Sequence, residues 1–208
     1  MPAMKGAFVC YEDGMVLGLP NVILFQFNPE SMTRSPSSHH ASPENKATTK
    51  NTQAMSAVPT ETVTFTLRFD ATDQLACANP IAAAGGILPA LSSLELLMQP
   101  IDDKSIPAKA AVQVPGPVSQ PRKTPMVLFI WGMNRILPVT ITSLSINETV
   151  FDTRLNPVRA EVTVTMEVVT PPTQNSFAAK AYNYSLGAKR VYAALNLANS
   201  AELLGAMF

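Results

Sequence analysis

The sequence predicts a mainly β fold with a flanking helix, an α+β architecture. Three observations carry that expectation. Residues 61–70 alternate strictly, with Val63, Phe65, Leu67 and Phe69 on one side and Thr62, Thr64, Thr66 and Arg68 on the other. Residues 159–168 alternate again, with Ala160, Val162, Val164, Met166 and Val168 opposed to Arg159, Glu161, Thr163, Thr165 and Glu167. Ile87, Leu91, Leu94 and Met98 instead follow helical spacing. Period two sends successive side chains to opposite faces of a strand, whereas steps of three and four form one stripe on a helix. Strands with one apolar and one polar face suit an antiparallel sheet that is wet on one side.

The remaining elements follow in chain order. Ala7–Tyr11 is a short apolar run, and Glu12-Asp13-Gly14 after it supplies a turn. Val22 to Phe27 is rich in β-branched and aromatic residues and reads as a strand. Asn28-Pro29 ends it, because proline cannot donate to a ladder. Residues 35–59 are Ser, Thr, Pro, Asn and Lys with almost no large apolar side chains, which predicts a long loop. The helix over 87–98 follows Gly85-Gly86, takes Pro89 in its first turn and closes at Pro100. A second proline-rich loop is expected over 101–125.

Met126 to Trp131 is a continuous apolar run, as for a buried strand, and Gly132-Met133-Asn134 looks like a turn. Val139, Ile141, Leu144 and Ile146 alternate with a bulge expected near Ser143. Val150-Phe151 leads into a polar turn over 152–157, and Pro171-Pro172 stops the last strand. The tail from Ser176 is rich in Ala, Leu and Tyr. Ala181, Tyr184, Ala188, Val191 and Leu195 fit one helical face. Docking of that helix on its own domain and docking on a neighbour are both open. The expected organisation is a β domain over 1–170 and a helical tail or docking arm over 171–208.

Composition narrows the function classes. The 208 residues carry 15 Lys and Arg against 15 Asp and Glu, so the formal net charge is zero. That balance gives no general footprint for nucleic acid or an anionic membrane. No apolar stretch approaches the ~20 residues of a membrane-spanning helix, so no direct membrane insertion is expected. The first ten residues lack a secretory h-region, and cytoplasmic synthesis is the expectation. Cys10 and Cys77 are too few for a disulfide framework and are expected to be small buried hydrophobes.

Catalytic chemistry finds little to stand on. His39 and His40 are the only histidines, adjacent in the predicted loop of 35–59. A metal site gathers three or four ligands, which these two do not provide. Cys77 sits in an apolar Leu-Ala-Cys-Ala stretch that does not activate a thiol. Asp70 with Asp73, and Asp102 with Asp103, fall at element ends where aspartate commonly caps. There is no phosphate-binding loop, nucleophile elbow or zinc-protease motif. No catalytic, cofactor or metal site is expected, and the chain reads as a non-enzyme.

Several segments resemble, in order, the contractile injection system tube proteins. Phe25-Gln26-Phe27-Asn28-Pro29 resembles the family's opening signature. The strand with Phe65 and Phe69, the helix with Leu94 and Met98, and the strand ending in Trp131-Gly132 resemble its next elements. Phe151-Asp152 through Pro157-Val158-Arg159-Ala160 resembles its closing hairpin. The resemblance spans about Phe8 to Val169. No LysM-like repeat follows Val169, although the family often carries one.

This likeness implies a tail-tube fold of two packed antiparallel sheets with one amphipathic helix. It implies a structural subunit of a phage-tail-like particle, closing into a hexameric ring that joins the spike-hub protein to the inner tube protein and initiates the tube. A sheath or baseplate adaptor is a further partner it suggests. Arg68, Thr163 and Thr165 are then candidates for the lumen or the interface. The alternative is a monomeric β-rich binding module of a tail or baseplate, without a ring.

Overall fold

A computed structural model describes residues 4–11, 21–37, 59–99, 125–170 and 176–205. Most of the two predicted loops, with His39, His40, Asp102 and Asp103, lies outside these residues, as does the expected turn at 12–14.

Among the described residues, seven strands form one antiparallel sheet: β1 (Ala7–Tyr11), β2 (Asn21–Leu24), β3 (Met32–Ser37), β4 (Thr60–Asp70), β5 (Met126–Ile130), β6 (Ile136–Phe151) and β7 (Pro157–Val168). Their order is β2-β1-β5-β6-β7-β4-β3. Helices α1 (Thr72–Ala76), α2 (Pro80–Gly85) and α3 (Leu88–Leu96) follow β4, and α4 (Phe177–Gly205) follows β7.

The mainly β, α+β class is as expected, but the two packed sheets are halves of one rolled sheet. Phe8 of β1 and Phe65 of β4 lie 6.2 Å apart, ring centre to ring centre. Three strands stand between β1 and β4. In a flat sheet, four strand spacings would hold them about 19 Å apart. Right-handed twist and bulges supply the roll.

The alternating strand faces explain the core. Ala160, Val162, Val164, Met166 and Val168 of β7 are all buried, as are Val63, Phe65, Leu67 and Phe69 of β4. The bulge expected near Ser143 is present, between Ile141 and Ser143. It switches the inward set from Val139 and Ile141 to Leu144 and Ile146, so both halves of β6 face the core. Without the extra residue, the second half would turn its apolar side chains to water.

The predicted helix over 87–98 is shorter, Leu88–Leu96, with Pro89 in its first turn as expected. Its stripe is Ile87, Leu91, Leu94 and Leu97, all buried, rather than one ending at Met98. The last turn tightens, with Leu97 N–H donating to Leu94 O and Met98 N–H to Glu95 O. That tighter winding rotates Leu97 inward and leaves Met98 at the rim. Gly86, at φ +57°, sits so close to the Pro157 carbonyl that a Cβ there would lie 2.1 Å from it. Ile87 N–H donates to the same carbonyl at 2.9 Å, which fixes α3 to the start of β7.

Other expectations are corrected. The strand expected over 22–27 stops at Leu24, opposite Ala7 where its partner β1 begins, and Phe25 follows Ile23 into the core. Ser35, Pro36 and Ser37, expected in a loop, belong to β3. Proline is tolerated there because β3 is a sheet edge. Helices α1 and α2 were not expected. The Asn79 side chain caps α2 by accepting from Ile81 and Ala82 N–H. Cys10 is buried as expected, but Cys77 is exposed after α1.

The α4 face is corrected in part: Ala181 is buried as expected, but the rest of the seam differs. Ala178, Ala181 and Ser185 are buried, whereas Tyr184, Val191 and Leu195 are exposed. The Ser185 hydroxyl accepts from Ile136 N–H at 2.8 Å and donates to Ile136 O at 2.6 Å. Tyr184 donates to Met133 O at 2.9 Å. The first half of α4 is therefore docked on its own chain.

Candidate functional site

Two features stand out: a wet sheet face made of polar rows, and the segment after β2 that crosses one end of it. The rows follow from register. Arg68, Glu161 and Asn147 are cross-strand partners on β4, β7 and β6; so are Thr66, Thr163 and Ser145. Thr33, Thr64, Thr165 and Ser143 make a third row that reaches β3. In-register partners point to one side of a sheet, so these residues share a face.

The face is held by its own hydrogen bonds. The Thr66 and Thr163 hydroxyls lie 3.1 Å apart, and Thr64 donates to Thr165 at 3.3 Å. Arg68 reaches Glu30 at 2.7 Å and Glu161 at 3.1 Å. Glu30 beside it, then Glu161, holds the Arg68 guanidinium above its ordinary pKa. Arg68, Thr163 and Thr165, which sequence placed together, are thus neighbours on one surface. Ser143, Ser145 and Asn147 were missed; the phase switch at the bulge was the signal that could have found them.

The Phe25–Pro29 segment has a physical role at each position. Phe25 is fully buried and packs against Phe8, Phe65, Phe129 and Trp131. The Gln26 amide donates to Asp70 O at 2.6 Å and accepts from Asp70 N–H at 2.9 Å, imitating a strand partner at the end of β4. The Asn28 carbonyl accepts from Gly6 N–H at 3.0 Å while its amide donates to Met4 O at 2.8 Å. Gln26 was not singled out from sequence, although it stood inside the motif. Phe27 is half exposed and, with Pro29, lines a groove of about 630 Å³ over Arg68, Asp70, Arg159 and Glu161.

The closing hairpin completes the groove. Arg159 pairs with Asp70 at 2.7 Å. Hydrogen bonds from the Thr72 hydroxyl and N–H, helped by Arg159, hold the Asp70 carboxyl below its usual range. Asp152 caps the β6–β7 turn, accepting from Arg154 N–H at 2.7 Å and Asn156 N–H at 2.8 Å. Phe151 is half exposed beside it, and Gly132 takes φ +68° in the β5–β6 turn after the half-buried Trp131.

Arg68 and Arg159 face Glu30, Asp70 and Glu161 in the groove, and neither a histidine nor Cys77 is among its described lining residues. Among the described residues no three His, Cys, Asp or Glu side chains converge as a metal site. No described helix is long and apolar enough to cross a membrane.

The ordered strands, the helix after them and the closing hairpin coincide with a family match. The sequence model of the contractile injection system tube protein matches residues 12–176, most of the chain. The chain belongs to that family. Comparison with curated proteins found no match. A contractile injection system tube protein is a structural component that assembles with others into an injection particle. The Phe25–Pro29 clamp, the Trp131-Gly132 turn and the Pro157–Ala160 hairpin all fall within the matched span.

Proposed function

We propose that this tube protein closes into a hexameric ring at the junction of spike hub and inner tube, acting by binding alone. The observation that carries the reading is the polar face. Its three rows across β4, β7 and β6 contain hydroxyls, an amide and a paired Arg68 and Glu161. Rows whose members are hydroxyls, an amide and a paired charge, with no large apolar side chain among them, suit a wet channel wall. The opposite face is spent on the core.

The two sheet edges, β2 and β3, support the same reading. Exposed edges present unpaired backbone groups, and ring closure covers them. Val22 and Leu24 on the β2 edge are exposed, an apolar contribution to a subunit contact. Phe27, Pro29 and Glu30 would form part of the surface that meets the next layer.

The test is the mass in solution, by light scattering, of the chain alone and mixed with its spike-hub protein. Six copies of the 22.3 kDa chain, alone or on the hub, support the ring. A chain that stays monomeric and ignores the hub contradicts it and favours a stand-alone binding module.

A further inference from the structure

A second cavity, of about 350 Å³, opens where α4 meets the β5–β6 turn and the β3 edge. Three elements each bring one cation to it: Arg34 from β3, Arg135 from the β5–β6 turn and Lys189 from α4. Arg34 is in register with the buried Val63, so it projects on the side of the sheet opposite the hydroxyl rows.

A single carboxylate answers these charges. Glu61 accepts from Arg34 Nε at 2.6 Å and from Lys189 Nζ at 2.9 Å. Burial pushes the Glu61 carboxyl up, but the Lys189 and Arg34 bonds and charges outweigh it and hold the group below its ordinary value. Arg135 is left with the Met32 thioether at 3.7 Å as its side-chain contact, a weak acceptor. No carboxylate among the described residues pairs with Arg135. Its guanidinium is pushed below its usual pKa, first by burial and then by the neighbouring Arg34 charge, which the Glu61 charge only partly offsets. Among the described residues, three cations at the cavity thus face one neighbouring carboxylate, and a half-buried cation without a directly paired carboxylate is costly.

The walls argue for the kind of anion. Trp131, Ala188 and Tyr192 are carbon-rich, and exposed Met133 stands at the rim. A free inorganic anion gains nothing from them. A carboxylate on a methylene stem, flanked by apolar side chains, gains from both charge and wall.

We propose that this cavity receives a glutamate side chain from an acidic, apolar segment of a partner protein, with Arg135 as the principal contact. The site lies apart from the hydroxyl face and does not depend on ring formation.

Trp131 is the only tryptophan in the chain and lines the cavity, so its fluorescence reads occupancy directly. The full chain is titrated with a blocked Leu-Glu-Leu tripeptide, with the Leu-Gln-Leu analogue and with inorganic phosphate. The expected result is a saturable change with the glutamate peptide. Binding weakens roughly tenfold for the glutamine peptide, as for the loss of one charge-assisted hydrogen bond. Arg135→Gln weakens the glutamate peptide by a similar factor, and Arg135→Lys recovers most of the loss. Phosphate at the same concentration gives little change.

Three results would overturn the proposal. They are no saturable change with the glutamate peptide, equal binding of the two peptides, or phosphate binding as tightly as the glutamate peptide. The glutamine peptide probes the unaltered protein, so a misfolded Arg135 variant cannot mask the outcome.

Discussion

Replacing Phe25 with alanine removes the ring that joins the two halves of the rolled sheet. Its neighbours are Phe8 at 5.2 Å, Phe65 at 5.7 Å, and Phe129 and Trp131 at 6.4 Å, ring centre to ring centre. These rings stand on or beside strands and have little freedom to collapse inward. Gly6 beneath offers no side chain to fill the gap, since its Cβ position lies 2.6 Å from the present Phe25 Cδ2.

Loss of a fully buried phenylalanine costs about 3–5 kcal/mol, and the poor prospects for relaxation place this one toward the upper part of that range. For a domain of this size each kcal/mol lowers Tm by about 2–4 °C. Urea denaturation followed by far-ultraviolet circular dichroism measures the change without relying on Trp131, which touches the mutated site. Phe27→Ala, two residues on and half exposed, serves as the control and should cost under about 1 kcal/mol. A Phe25→Ala loss below about 1.5 kcal/mol, or equal losses at both positions, would refute the role assigned to the ring.

Three further outcomes are expected. Gln26→Ala strands both backbone groups of Asp70 and should cost about 1–3 kcal/mol in the same urea assay, with an unchanged midpoint counting against the clamp. Leu155, exposed in the β6–β7 turn, holds φ +64°, a conformation costly for a leucine. Leu155→Asn should therefore raise stability, by about 0.5–1 kcal/mol, and a fall would contradict the strain assigned there. Glu61, Asp70 and Asp152 are all held below their ordinary values of 4.5, 3.8 and 3.8. For lowered carboxylates the unfolded chain takes up protons first, so stability is present above those values and lost as pH falls through the folded ones. The urea midpoint should be level above about pH 5 and drop below about pH 4, and a level midpoint down to about pH 3 would contradict it.

What sequence could reveal depended on whether the information was local. The β7 alternation was legible because every second residue from Ala160 to Val168 is apolar and every one is buried. The bulge near Ser143 was legible because the apolar pattern changes phase there. Helices α1 and α2, with five and six residues, are too short to show a period, and only end signals such as Asn79-Pro80 marked them locally. The α4 seam was misread because that helix carries apolar residues on several faces. The sheet chose the small ones, Ala178, Ala181 and Ser185, which allow close approach.

The roll of the sheet could not be read, since it depends on Phe8 meeting Phe65 across three intervening strands. The Glu61 cluster is non-local in the same way, drawing its cations from residues 34 and 189. On the polar face, Arg68, Thr163 and Thr165 were legible from alternation alone. Their serine partners on β6 needed the register.

The most direct test of the account is whether the polar face lines a closed channel. Ser145→Cys places a thiol in the middle of the rows, on a background in which exposed Cys77 is changed to serine. In the free chain, a small charged thiol reagent and a bulky polymer-linked maleimide should both modify it. In the particle assembled with the hub and inner tube proteins, the small reagent should still react while the bulky one is excluded. Reaction of the bulky reagent at the free-chain rate in the assembled particle would place the face outside the channel and contradict the account.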